Sequence, residues 1–449
     1  MERSKLNLDV LLQIAALAEK TTQSHIMKTC RILNKEGARE LLKEQVWLNS
    51  ERQLVSFVLF MLADKRIRFA ALREFYLELD EDISQNSGEM LSDLFVELST
   101  AANTRLQKLR LSWETEDILL AHPRLSEGIA HLTTLKAINI SCVGSQGSRL
   151  LTNLRSSLTY AAVDFDRDAL DRKTSLSDGF DPLPLLQTSR NTLESLRLSH
   201  AWYMLTSNIV AYPRLTTLTV ASRWVPYVPI LHRAFPNLTE ITSYFGIACT
   251  PLEIPSISIV AEYRAANRTY QLNHGSWAEF DSFHGPSRDL YILGLLCRIQ
   301  YIDLCHYLGD SIDVGGLQTI LSDTRPTHLL LSARLQPDDT FLSEQWMVAL
   351  FQTRTPPLRA LEVTMEVSQL NCNHEDMLYD ALVSDGAFAC RTYSMTLAHR
   401  VRRINFATLW EPRRFGLYAS HSKAGSAPKS FKTSTWKNSP IVSMTRLNR

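Results

Sequence analysis

Cysteine is scarce in this chain, and what there is forms no pattern. The seven cysteines (Cys30, Cys142, Cys249, Cys297, Cys305, Cys372 and Cys390) are odd in number, widely spread and contain no CxxC pair. That excludes a disulfide framework and fits a reducing compartment, with thiols serving as small core hydrophobes. Long apolar runs are also missing: none approaches about 18 residues, so no membrane span is expected. The opening Met1-Glu2-Arg3-Ser4-Lys5 runs into an amphipathic segment carrying Asp9, Gln13, Glu19 and Lys20, so no signal peptide is expected. Three Asn-x-Ser/Thr matches, at Asn139, Asn237 and Asn267, are then read as chance. The expected compartment is the cytoplasm or the nucleus.

Catalytic signatures are absent as well. No nucleophile phrase such as GxSxG accompanies His274, Asp281 or His284. Gly144-Ser145-Gln146-Gly147-Ser148 is small and polar like a phosphate-binding loop, but it lacks the lysine and is read as a loop. Cys372, His374 and Asp376 fall short of a four-ligand metal pattern, and Cys297, Cys305 and His306 read as core residues. No catalytic residue, metal or cofactor is expected.

The formal net charge of +1 conceals an asymmetry. From Arg400 onward there are 11 Lys or Arg against the single acid Glu411, which leaves the first 399 residues at −9. An acidic body disfavours nucleic acid as a partner. From about residue 416 the tail is Ser/Lys-rich and acid-free, and it reads as disordered.

What is present begins with a helical head. Val10, Leu11, Ile14 and Leu17 share one helical stripe, flanked by Leu8 and Leu12. Thr21-Thr22-Gln23-Ser24 reads as a break with N-cap chemistry. Ile26, Met27, Cys30 and Leu33 predict a second helix, and Ala38, Leu41 and Leu42 a third ending near Val46-Trp47-Leu48. Helices this short cannot bury all these side chains among themselves, so apolar surface is left for the next domain or for a partner.

The body repeats a phrase, apolar-x-x-apolar-x-apolar. Copies stand at Leu72/Phe75/Leu77, Leu106/Leu109/Leu111, Leu135/Ile138/Ile140, Leu193/Leu196/Leu198, Leu215/Leu218/Val220, Ile254/Ile257/Ile259, Ile299/Ile302/Leu304 and Leu358/Leu361/Val363. Weaker copies lie at Leu158/Ala161/Val163, at Leu238/Ile241 and around Leu329–Leu331. The closer copies start roughly 22 to 35 residues apart, at or above the period of a leucine-rich repeat. In each, the second and third apolar residues point into a core and the residue between them points out. The Asn that often closes such a phrase is mostly missing, so its backbone hydrogen bonds must be supplied otherwise. An ordinary α/β domain also fits short strands separated by helices, although no copy is followed by a Gly-rich nucleotide-binding turn.

Leu6 through Leu33 resembles an F-box, on the ordered phrase Leu6-x-x-Asp9-Val10-Leu11-x-x-Ile14, followed by Met27-Lys28-Thr29-Cys30-Arg31 and Glu36-Gly37-Ala38-Arg39. Asn7 stands where the family usually has proline, and Leu33 where many members carry an aromatic. Trp277-Ala278-Glu279-Phe280 and Asp289 to Leu295 are similar to a segment of fungal F-box proteins with leucine-rich repeats, which extends the resemblance to most of residues 1–400. The resemblance implies an α/β chain: a three-helix F-box over 1–48, an irregular leucine-rich-repeat solenoid over 49–400 and a basic segment over 401–449. It further implies a non-catalytic adaptor of a Skp–cullin–F-box ubiquitin ligase. Leu6, Asn7, Val10, Leu11, Ile14, Ile26 and Met27 would meet the Skp subunit, and through it cullin. An unknown protein target would lie on outward strand positions, namely Lys108, Arg110, Asn139, Arg197, Thr219, Tyr301, Asp303 and Glu362. Along these positions the character is expected to drift from basic through neutral to acidic. A helical cap on a repeat protein, and a scaffold unconnected with ubiquitin, are the alternatives for the head and for the whole chain.

Overall fold

The computed structural model describes residues 7–79, 83–112, 115–165, 181–201, 209–221, 227–243, 257–306, 314–335, 360–367, 392–399 and 402–409. Three helices come first: α1 (Leu8–Leu17), α2 (Lys20–Met27) and α3 (Arg31–Lys43). Asn7 caps α1, its Oδ1 accepting from the Asp9 amide at 3.1 Å. This is the helix-start role that proline would otherwise fill by fixing φ. The expected break at Thr21–Ser24 lies inside α2. The second and third helices divide instead at Thr29-Cys30, where the Cys30 thiol caps α3 by accepting from the Leu33 amide. Ala15, Met27, Leu33 and Ala38 are buried and form the small core of this head. Gly37 permits close packing there, since a Cβ at that position would stand 2.6 Å from Met27 Cγ.

Two further helices, α4 (Glu51–Ala63) and α5 (Lys65–Ala71), lie between the first two strands of the sheet. Arg68 on α5 ties them to the head: its guanidinium donates to Asn34 Oδ1 on α3 at 2.8 Å and to the Phe60 carbonyl, and lies 3.9 Å over the Phe60 ring. Val46-Trp47-Leu48, expected as the end of a helix, is the first strand instead.

Fourteen strands form one sheet in chain order. They are β1 (Val46–Leu48), β2 (Glu74–Glu78), β3 (Lys108–Ser112), β4 (Ala137–Val143), β5 (Tyr160–Phe165), β6 (Ser195–Ser199), β7 (Thr217–Ala221), β8 (Glu240–Ser243), β9 (Glu279–Gly285), β10 (Arg298–His306), β11 (His328–Leu335), β12 (Ala360–Val367), β13 (Thr392–His399) and β14 (Arg402–Leu409). Neighbours pair in parallel except β13 and β14, which are antiparallel. The fold class at this level is α/β, helices with a largely parallel sheet. Parallel sheets covered on both faces read as continuous apolar runs. Here burial alternates: Phe75 and Leu77, Leu109 and Leu111, Ile138 and Ile140, Leu196 and Leu198, Leu218 and Val220, and Ile302 and Leu304 are buried, while the residues between them are not. One face therefore meets helices and the other is open. Each leucine on the covered face contributes about 1.5–3 kcal/mol through burial.

From β2 to β9, each strand is locked to the previous one at its start by a single carbonyl that receives two amides. Arg73 O accepts from Gln107 and Lys108, Gln107 O from Lys136 and Ala137, and Lys136 O from Thr159 and Tyr160. Thr159, Glu194, Thr216 and Thr239 carbonyls continue the series. Serine and threonine side chains do the work expected of the missing asparagine. Ser156 Oγ accepts from Leu135 N and donates to Leu132 O, and Ser189 Oγ accepts from Leu158 N and donates to Ser156 O. Thr134 and Thr192 donate to the Leu106 and Leu158 carbonyls at 2.7 Å.

The stretch after β8 departs from the sequence reading. Ile257 and Ile259, expected on a strand, begin the helix Ile257–His274, and β9 follows with Phe280 and Phe283 turned inward. The buried face of that helix is polar. Arg264, on the ring of Tyr291, pairs together with Arg268 with Asp323 from the helix Val314–Thr324. Asn267, fully buried, accepts from Val228 N at 3.0 Å and donates to Ile292 O at 2.9 Å, so it is no glycosylation acceptor. Gln271 Nε2 donates to the Gly294 carbonyl at 3.0 Å and its Oε1 accepts from Leu296 N. No helix among the described residues is long and apolar enough to cross a membrane.

Candidate functional site

The open face of the sheet carries rows of residues brought side by side by the parallel register. One row runs Trp47, Tyr76, Arg110, Asn139, Ala162, Arg197, Thr219, Thr242, His284, Asp303, Leu330 and Glu362, each paired with the next. Six of the eight residues expected to meet a target lie on it. The other two, Lys108 and Tyr301, share the adjacent row, which runs Glu74, Lys108, Ala137, Tyr160, Ser195, Thr217, Glu240, Ser282, Tyr301 and His328. Strand alternation explains this: once the inward leucines are aligned, the residue between them must align too. Only the backbone of Glu362 is described.

The expected basic beginning of this face is neutralised. Lys108 Nζ lies 2.7 Å from Glu74 Oε1, and Arg110 lies 3.8 Å from Glu78 and donates to Ser112 Oγ at 3.0 Å. Both acids stand on β2, outside the positions singled out from the sequence. Tyr76 beside them has its phenol pushed up to about 12, first by burial and then by the Glu74 charge. Arg197 is the exposed cation of the row and has no ion pair among the described residues.

Farther along, three groups meet across β9 and β10. His284 Nδ1 is 2.6 Å from Asp303 Oδ2, and His284 Nε2 is 3.7 Å from Cys305 Sγ. Cys305 Sγ is also 3.9 Å from Asp303 Oδ1. His284 and Asp303 are register partners, and Cys305 follows Asp303 by two residues on the same face. Cys305 is therefore half-buried on the open face rather than in the core. The His284 imidazole is pushed up to about 10, first by its hydrogen bond to Asp303 and then by that to Cys305. The sequence sets Asp281 and His284 beside His274 and gives no local link from them to Asp303 and Cys305. The available signal was the outward Asp-x-Cys alternation inside a leucine phrase.

Among the described residues this is the one group of His, Cys, Asp and Glu donors that could share a cation, with its atoms within 4.8 Å of one another. Asp303 occupies Nδ1, which leaves Nε2 and Sγ as first ligands and falls two short of a closed tetrahedral site. What the geometry offers more directly is a thiol beside an imidazole that a carboxylate orients. A second His–Asp pair, His200 Nδ1 to Asp164 Oδ1 at 2.9 Å, lies on β5 and just beyond β6. His200 has φ 55°, so its ring is set by a left-handed backbone position.

Of the seven residues expected to face the Skp subunit, Leu6 lies outside the described residues. Val10 and Ile14 are exposed at 44% and 47%, Leu11 and Ile26 are half-buried, and Asn7 is exposed as the α1 cap. Met27 is 4% exposed and packed toward Gly37, so it belongs to the head's own core and not to its surface. Leu17, at 90%, and Ile32, at 55%, are the apolar residues the contact set omitted.

The small polar stretch Gly144–Ser148, expected as a loop, is the start of α9 (Ser145–Asn153), which follows α6 (Gln85–Thr100), α7 (Thr115–Ala121) and α8 (Pro123–Ala130). Its amides are taken by the chain's own carboxylate, Glu116 of α7 (Thr115–Ala121). Cys372, His374 and Asp376 lie outside the described residues, as does the tail beyond residue 409. No family model matches the chain, and none of the curated proteins matches it.

Proposed function

We propose that the chain is a non-catalytic, substrate-recruiting adaptor of a Skp–cullin–F-box ubiquitin ligase, with an F-box head and a leucine-rich-repeat body. The observation that carries the reading is the apolar stripe of α1. Val10, Ile14 and Leu17 recur at i, i+4 and i+7, all exposed, on a helix whose opposite side (Ala15) is buried. A short helical head that leaves its apolar stripe uncovered is built to dock. The body supports the second half of the reading: strands in chain order, one apolar face covered and one polar row open, offer an extended surface for a protein or peptide rather than a pocket for a small molecule. The role in ubiquitin-dependent degradation would be to hold the target near the ubiquitin-carrying enzyme by raising its effective concentration.

Binding of the full chain to a purified Skp adaptor, beside Ile14→Asp, tests this. Binding in the wild type that is lost in the variant is the expected result. No binding by the wild type overturns the ligase reading and favours an interaction scaffold unconnected with ubiquitin.

A further inference from the structure

We propose that Cys305 is an activated thiol on the open face of the sheet, held ready by His284 and Asp303 to exchange with a low-molecular-weight disulfide. Reactivity of a cysteine depends on its access and on a neighbouring group that takes its proton or stabilises the thiolate. Both are present. Cys305 is half-buried on the uncovered face, and the imidazole of His284 stands with Nε2 toward Sγ at 3.7 Å while Nδ1 is fixed at 2.6 Å by Asp303. All three side chains project from paired strands, so the arrangement exists without loop rearrangement.

Asp303 acts in two directions. Its carboxylate favours a protonated imidazole at 2.6 Å and disfavours a thiolate at 3.9 Å. The 2.6 Å contact sets the imidazolium in place, and at 3.7 Å it stands nearer Sγ than the carboxylate at 3.9 Å, so the opposite charge wins, because charge–charge energy falls with distance. Among the described side chains, the other charged groups on these and the flanking strands are Glu240 on β8, Glu279 and Asp281 on β9, Arg298 on β10 and His328 on β11, and Glu279 and Arg298 pair with each other at 3.9 Å.

The exchange balances within this set. The Cys305 S–H bond breaks, its proton passes to water, and the His284 imidazolium at Nε2 stabilises the thiolate left behind. The thiolate attacks one sulfur of the disulfide, a new S–S bond forms to Cys305, and the old one breaks. The departing thiolate takes a proton from water and leaves as a thiol. The disulfide is the oxidant. The adduct then sits on the row proposed above to receive the target.

The chain supplies its own comparators. Cys30 is exposed and caps α3, and Cys142 is half-buried in β4; among the described residues no acid-held imidazole stands at either. The full chain is treated with glutathione disulfide over a range of pH, and each cysteine is followed by peptide mass spectrometry. At pH 7, Cys305 is expected to react about tenfold faster than Cys142 and Cys30, and the lead should narrow as pH rises and His284 loses its charge. In His284→Gln, with an unchanged circular dichroism spectrum, the lead should vanish at every pH. A Cys305 no faster than Cys30 in the wild type, or one indifferent to His284→Gln, overturns the proposal. The readout needs no partner, so its failure and a failure of Skp docking are separate results.

Discussion

Glu116 of α7 accepts the Gly147 amide of α9 at 2.9 Å through Oε2, the same oxygen that accepts the Gly144 amide at 2.9 Å. Its Oε1 takes the Gln146 amide at 2.7 Å and the Ser145 hydroxyl at 3.0 Å. One side chain thereby satisfies amides that the first turn of a helix cannot satisfy internally, and its negative charge meets the positive end of the helix dipole.

Glu116→Ala is accordingly expected to lower stability by about 2–4 kcal/mol, since three amides lose a charged acceptor at once. Glu116→Gln should cost less, because one amide oxygen can replace part of the set. Urea unfolding of both variants checks the order. Equal stability for wild type and Glu116→Ala would show that water replaces the carboxylate freely.

The buried charges around Asp323 give a sharper case. Arg264 and Arg268 both donate to Asp323, and the side chains of Arg264 and Asp323 are only 8% and 16% exposed. Burial pulls the Arg264 guanidinium down and the Asp323 charge holds it up. Asp323→Ala strands two cations and is expected to cost about 3–5 kcal/mol, as removal of one member of a buried ion pair does. Thermal unfolding measures it, and adding Arg264→Met to Asp323→Ala should recover part of the loss.

In the head, surface and core can be separated by one measurement. Ile14→Asp and Leu17→Asp change exposed positions and should move stability by within about 0.5 kcal/mol. Met27→Asp puts a charge into the head's core and should unfold it locally, seen as loss of amide-exchange protection in α2 and α3. If Ile14→Asp destabilised the head as much as Met27→Asp, the α1 stripe would be a packed surface and the docking argument would fall.

How far the sequence could be read depends on which face of an element carries the signal. Inward leucines of β3, β4, β6, β7 and β10 repeat at fixed offsets, and their strands and outward rows follow from them. The helix Ile257–His274 buries Arg264, Asn267 and Gln271 beside the single apolar Val260, so apolar periodicity had little to detect there. β9 was missed because its phrase is Phe280/Phe283/Gly285, with a glycine where the last apolar residue is expected. Val46-Trp47-Leu48 is too short to show a period, and its strand state comes from pairing with β2. The His284–Asp303–Cys305 cluster joins residues 19 and 21 positions apart, and only the register of β9 on β10 brings them together.

That register has a consequence for stability against pH. His284 is raised from 6.5 to about 10 by Asp303 and Cys305. A group whose folded-state value is raised binds its proton more tightly when folded, so its contribution is fully present below pH 6.5 and is lost as pH rises toward 10. The wild type should therefore lose urea resistance between about pH 6.5 and 10 relative to His284→Gln, which cannot take up the proton. The two chains differ at this one side chain, so the informative quantity is the difference between the two curves. About a third of the imidazole is open to solvent, and added salt should shrink that difference. Parallel curves across the window would mean that His284 carries the same proton affinity folded and unfolded, and that its 2.6 Å contact with Asp303 contributes no net charge attraction.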